Sequence, residues 1–216
     1  MKLYIADKTC SEAVQIIANE LGITPELIHF DVFGKSTSNG DDFAELNPMQ
    51  YVPLLVLDEA HKERLSETIV VTSYLADQYP EAGLIPPQGT LERVKYDQLL
   101  VFIATEIAQK HIPLMRKLMT EAGIAWTSSR IIAAYQILDD RLSDGRPYLA
   151  GDTLTVADAY LWATFWGERS GINVSHLANV TAWKARMDAH PSVLKALRDE
   201  ADVVNAHRAL IAEQTV

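Results

Sequence analysis

The spacing of apolar residues changes period along the chain, and each period predicts a different element. Residues 3–6 form a short apolar run that reads as a strand. Over 11–21, Val14, Ile17, Ala18 and Leu21 recur at three-to-four spacing, so this stretch predicts a helix, stopped at Gly22. A second strand is expected over 27–32, then a loop, "FGKSTSNGDD", and a short helix over 42–46 ended by Asn47-Pro48. The run "PLLVLD" predicts a buried strand over 54–57. A turn at "EAHKER" and a short strand at Arg64-Leu65 then pair back on it. Helical spacing returns over 67–78 with Ile69, Val70, Ser73, Tyr74 and Asp77.

Periodicity breaks at "YPEAGLIPPQGT", where three prolines and two glycines fall within twelve residues. Beyond it every segment is helical in pattern: 91–118, with Pro113 expected to kink or divide it, then 128–142, 156–168, 180–189 and 192–200. No element is predicted after 200. The expected organisation is a small α/β domain over 1–80, a linker over 81–90 and an all-helical domain over 91–216.

Composition narrows the functional classes. The 216 residues carry a formal net charge of −10, which argues against nucleic acid or an anionic membrane as partner. No apolar window is long enough to span a bilayer, and the first residues do not read as a signal peptide. A single cysteine excludes an internal disulfide framework and fits a reducing, cytoplasmic setting. His61, His190 and His207 have no metal-ligand spacing, so no metal is expected.

Three stretches carry candidate chemistry. In "KTCSEAV", Thr9 and Glu12 fit a capping box, which puts Cys10 at the first helical position. Helix-start N–H groups, the dipole and nearby Lys8 would lower a thiol pKa there. The competing reading is an inert small apolar residue. In "QYVPLLVL", Pro53 is either a trans proline at a strand start or a cis proline that turns the backbone of Val52 outward. In "LSETIV", Ser66 is a candidate N-cap; Glu67 and Thr68 begin a helix and suit a zwitterionic amino-acid end, unless the stretch is ordinary capping. The box Thr155-x-x-Asp158 reads as structural, and Trp162, Phe165 and Trp166 read as core.

These stretches, with "NGDDFAELNPMQYVPLLVLD", "LSETIVVTSYLADQYP", "IATE" and "GDTLTVADAYL", resemble the glutathione S-transferases, nearest to the bacterial beta class, over almost the whole chain. The resemblance implies a thioredoxin-like N-terminal domain, an all-helical C-terminal domain and a homodimer. It implies an enzyme that takes glutathione as co-substrate and a small hydrophobic electrophile. Cys10 and Ser11 become the catalytic candidates, with Cys10 able to form a mixed disulfide. Lys35, Val52, Pro53, Glu67 and Thr68 become the glutathione contacts, and Thr105 and Glu106 reach the neighbouring subunit's site. Phe102, Ile112 and Met115 become walls of the electrophile pocket.

The chain departs from the beta-class pattern at two positions. The histidine after the "ATE" segment falls on Ala108 and the adjoining lysine on Gln109, while His111, one helical turn on, is a candidate substitute. This favours glutathione binding and monothiol exchange over conjugation. The alternatives are a glutathione-dependent isomerase or dehalogenase, and a non-catalytic protein-binding member of the same fold, as the stringent starvation proteins are.

Overall fold

The computed structural model describes residues 1–58, 60 and 63–214. It divides the chain into two units: Met1–Ala82 with the segment from Pro191 on, and Gly83–His190.

The first unit is built on four strands, β1 (Lys2–Ile5), β2 (Glu26–His29), β3 (Leu54–Asp58) and β4 (Glu63–Ser66), in the order β2-β1-β3-β4. β1 and β2 are parallel and are joined through α1 (Ser11–Glu20), the crossover a parallel pair requires. β3 and β4 add on antiparallel, and Leu3 faces both Leu27 and Leu55 across the ladder. Alternation divides the sheet into two faces. Tyr4, Ile28, Leu54 and Val56 pack with Phe30 and with Phe43 of α2 (Phe43–Leu46), and Phe30 and Phe43 have ring centroids 4.2 Å apart. Of the turn expected at "EAHKER", Glu59, His61 and Lys62 lie outside the described residues.

The helices of this unit differ from expectation in instructive ways. In α1 every residue from Ser11 to Ala18 is buried, not one stripe. Its second face is covered by α10 (Pro191–Gln214), which the sequence pattern assigned to the helical domain and did not extend past 200. Polar pairs hold α10 in place. Gln15 Nε2 and the Lys8 N–H donate to the Glu200 carboxyl at 2.9 and 3.0 Å, Arg208 meets Asp7 at 2.8 Å, and the Nδ1 atoms of His29 and His207 lie 2.9 Å apart. The helical domain expected over 91–216 therefore ends, as a compact unit, at His190. α3 (Thr68–Asp77) completes the first unit against α1.

The second unit is all helix. α4 (Leu91–Phe102) starts at Thr90, whose hydroxyl accepts from the Arg93 N–H at 3.1 Å. It widens into a π-helical segment, Ile103–Ala108, and continues as α5 (Gln109–Met115), with Pro113 inside. The long predicted helix is thus divided upstream of its proline, and the π segment carries Thr105 and Glu106. α6 (Glu121–Leu142) begins seven residues before the predicted start, capped by Thr120, because Gly123 hides its first turn from the pattern. α7 (Val156–Ala163) stops earlier than predicted, at Thr164, whose hydroxyl bonds back to the Tyr160 carbonyl at 2.7 Å. α8 (Gly167–Ser170) and α9 (Ala178–Asp188) follow. Asp139 of α6 accepts the Asn179 and Val180 N–H groups at 2.8 and 2.9 Å, so α9 is capped from another helix. The expected linker is not a free tether, because Leu84 and Ile85 within it are buried.

Asp158 anchors this unit. It is wholly buried, and its oxygens accept from Leu149 N–H, Thr155 N–H, Thr155 hydroxyl and Trp183 Nε1 at 2.7–3.0 Å. The capping box is present, and Trp162 is buried, with Phe165 and Trp166 half-buried beside it in sequence. Among the described residues no helix is long and apolar enough to cross a membrane.

Candidate functional site

The turn between β1 and α1 places Cys10. The expected capping box is absent there. Cys10 itself is the N-cap, with helical φ and ψ of −60° and −10° and no side-chain cap. The Thr9 hydroxyl bonds upstream to the Ala6 carbonyl at 2.8 Å, and the Glu12 side chain bonds to Glu200. Ser11 is wholly buried. Its Oγ lies 2.8 Å from Thr9 Oγ1 and accepts from the Ala6 N–H at 3.3 Å. That turns the hydroxyl into the loop, where Ser11 fixes the turn.

The segment just before β3 meets the Cys10 sulfur. The half-buried thiol donates to the Val52 carbonyl at 3.5 Å. The Val52-Pro53 bond is cis. Burial pushes the thiol pKa up, and the Glu67 and Glu12 carboxylates push it the same way; the Thr68 hydroxyl and a backbone hydrogen bond pull it down. The thiol is therefore raised on balance, not lowered as the helix-start argument predicts. Desolvation is the largest cause.

Glu67 precedes α3 as its N-cap, with φ of 67° and ψ of 119°, and Ser66 is instead the last residue of β4. A non-glycine residue with positive φ is strained, and here it leaves the carboxylate exposed beside the buried Thr68. The Val71 N–H bonds the Glu67 carbonyl at 2.9 Å, so the first turn of α3 is fixed by backbone. Lys35 is placed differently, on an exposed loop closed by its N–H to the Asp31 carbonyl at 2.8 Å. Its ammonium stands 5.5 Å from the Phe30 ring centre.

In the second unit, Thr105 is exposed and its hydroxyl bonds the Val101 carbonyl at 3.0 Å. Glu106 pairs with Lys110 at 2.8 Å, which lowers its carboxyl pKa. Phe102, Ile112 and Met115 are half-buried along α4 and α5. Ala108 is buried and Gln109 exposed. His111 is turned into the helical unit. It is wholly buried, with Nδ1 2.8 Å from Ser170 Oγ, and burial pushes its pKa down to about 4. No group of three or more His, Cys, Asp or Glu side chains that could hold a metal occurs among the described residues.

Sequence reasoning missed the contact between the Cys10 thiol and the Val52 carbonyl, which lie 42 residues apart in the chain.

A family model described as the C-terminal domain of glutathione S-transferase matches residues 125–167. The chain is 32% identical to glutathione S-transferase GstA of Escherichia coli O157:H7 over 93% of this chain and 98% of that protein. It superposes on a sphingomonad glutathione S-transferase complexed with glutathione at a TM-score of 0.85 and 32% identity, over 93% of this chain and 99% of the other. A bacterial beta-class glutathione S-transferase from Sphingomonas chungbukensis gives a TM-score of 0.84 and 34% identity, over 93% and 98%. By fold and by sequence over nearly its whole length, the chain belongs to the glutathione S-transferases.

Proposed function

We propose that the first unit holds glutathione beside Cys10 and that the protein uses the glutathione thiolate in transfer to small hydrophobic electrophiles and in thiol–disulfide exchange. The observation that carries this reading is the Cys10 thiol set against the Val52 carbonyl at 3.5 Å, just ahead of the cis Pro53, with the Glu67 carboxylate acting on the same sulfur. Glu67 accepts from the γ-glutamyl ammonium. The N-terminal N–H groups of α3 and the Thr68 hydroxyl take its carboxylate. Val52 pairs by backbone with the cysteinyl unit ahead of Pro53, and Lys35 faces the glycyl carboxylate.

In exchange, the Cys10 thiolate attacks the glutathionyl sulfur of a mixed disulfide and expels the substrate thiolate. A second glutathione thiolate then attacks the Cys10–glutathione bond, leaving oxidised glutathione and restoring Cys10. With one cysteine in the chain, the resolving thiol is glutathione itself. In conjugation, the glutathione thiolate attacks an electrophilic carbon and the leaving group departs with its electron pair. Alanine at 108 offers no donor for that step, which supports exchange as the stronger activity.

The electrophile is assigned to the helical unit, at Phe102, Ile112 and Met115. Thr105 and Glu106 serve a neighbouring copy in a homodimer. Exposed Leu91, Val94 and Val101 on α4 and Trp126 and Ile137 on α6 support that dimer, since isolated copies rarely leave so many large apolar residues in water. A cytoplasmic setting accords with the single reduced thiol.

Calorimetric titration of glutathione into wild type and Cys10→Ala tests the site. The expected result is a sub-millimolar site in both proteins, with exchange activity lost in Cys10→Ala. No binding by either at millimolar glutathione rules the reading out.

A further inference from the structure

We propose that the buried pair His29–His207 is an acid-released latch, which holds the last turns of α10 against β2 at neutral pH and frees them once both rings are protonated.

The end of α10 has little else to hold it. Upstream, Val193, Ala196 and Val204 are buried, and Glu200 accepts the Lys8 N–H. From Asn205 to Glu213, among the described side chains, His207 is the one that is buried; Leu210 is exposed and Ile211 half-buried. Arg208 pairs with Asp7 at 2.8 Å, but both groups reach water, and an exposed ion pair contributes little. His207 instead meets His29 at the end of β2, with the two Nδ1 atoms 2.9 Å apart and the rings edge to face.

This contact limits how many protons the pair can hold. Two neutral imidazoles share one Nδ1–H: one ring donates, and the other accepts and carries its own proton on Nε2. Ser36 Oγ, 3.5 Å from His207 Nε2, suits either arrangement, because a hydroxyl both donates and accepts. The first added proton goes to the free Nε2 of the donating ring and leaves the shared bond intact, now charge-assisted. The second has only the accepting Nδ1 to go to. It sets N–H against N–H and one positive ring against another in a buried contact, and the contact opens.

The charges facing the pair do not remove this cost. Burial is the largest cause of a His29 pKa below the ordinary value, and the His207 ring and Arg208 on α10 push it the same way. Asp31, beyond β2, and Asp7, in the turn after β1, oppose them without reversing the direction. A released His29 takes up its proton near pH ~6.5 and a latched one only at lower pH, so the latch is complete above pH ~6.5 and is lost as pH falls through the folded pKa. Release also takes Arg208 from Asp7, in the turn that leads to Cys10, so acid loosens the thiol loop from that side.

Hydrogen–deuterium exchange on the whole protein, corrected for the intrinsic rate at each pH, reads the latch locally. Protection over residues 205–213 of wild type should fall at least about tenfold between pH ~7.5 and ~5, and fall further than that of β1 in the same unit. His29→Gln and His207→Gln each leave one ring facing an amide, a contact that a single added proton does not split, so the loss with acid should vanish in both. Unchanged protection in wild type overturns the proposal, as does an equal loss in β1, which would be unfolding of the unit, or the same acid loss in either variant. Nitrogen NMR of the histidine rings of wild type needs no variant. Release must follow the second proton of the pair, and release while one of the two Nδ1 atoms is still unprotonated overturns the latch.

Discussion

The Cys10 thiol points its proton at the Val52 carbonyl, 3.5 Å away, across a gap of 42 residues in sequence. Cys10 is therefore a resting thiol, with burial as the main cause of its raised pKa. Its alkylation midpoint should lie above the ~8.5 of an unperturbed cysteine. A stopped-flow pH series on wild type checks this, and a midpoint near 7 would contradict the burial and charge described at the sulfur.

Glu67 separates binding from stability. Replacing it by glycine relieves a positive φ of 67° that costs on the order of 1–2 kcal/mol for a residue with a side chain. Glu67→Gly should therefore melt no lower than wild type, and it should bind glutathione at least tenfold more weakly, because the partner of the ammonium is gone. Parallel calorimetry and thermal melts read both quantities. Loss of stability together with binding would mean that the carboxylate supports the fold.

His111 makes the helical unit sensitive to acid. Its folded pKa of about 4 lies below the ~6.5 of an unfolded histidine, so the unfolded chain takes up the proton first as pH falls. The contribution is complete above pH ~6.5 and is lost toward pH ~4, by roughly 3 kcal/mol. His111→Phe should flatten this part of the urea-stability profile. The same slope in the variant would place its origin elsewhere.

Asp158 should be the most costly single truncation in the second unit. Asp158→Ala strands the Leu149 and Thr155 N–H groups and the Trp183 indole in a dry interior, a loss of about 3–5 kcal/mol. Urea denaturation checks the size. Activity remaining in any folded fraction would show that the role is structural.

The strands and first helices were legible because each rests on a local apolar pattern, a short continuous run for a strand and three-to-four spacing for a helix. Leu3 to Ile5 and Leu54 to Val56 carry their burial pattern within four residues. Cys10, Val52, Glu67 and Thr68 could be named from three short stretches and a family likeness. What those residues do to one another could not. Ser11 looks like a donor in sequence, and only the positions of Ala6 and Thr9 show that its hydroxyl is already engaged. The direction of the Cys10 pKa shift depends on burial by distant segments, which no capping pattern encodes. The extension and docking of α10 escaped for the same reason. Its contacts join His29 to His207 and Gln15 to Glu200, polar pairs almost a chain length apart.

The position of α10 also sets an order of events during synthesis. The helical unit, Gly83–His190, is one uninterrupted stretch and is available to fold as soon as it leaves the ribosome. The first unit begins earlier and is completed later. Its sheet and α1 emerge first, yet the far side of α1, with Glu12 and Gln15 on it, has no cover until α10 has been made. The Lys8 N–H, two residues before Cys10, is held by Glu200. The thiol loop thus acquires its Glu200 tether only once α10 has been made, after the whole of Gly83–His190.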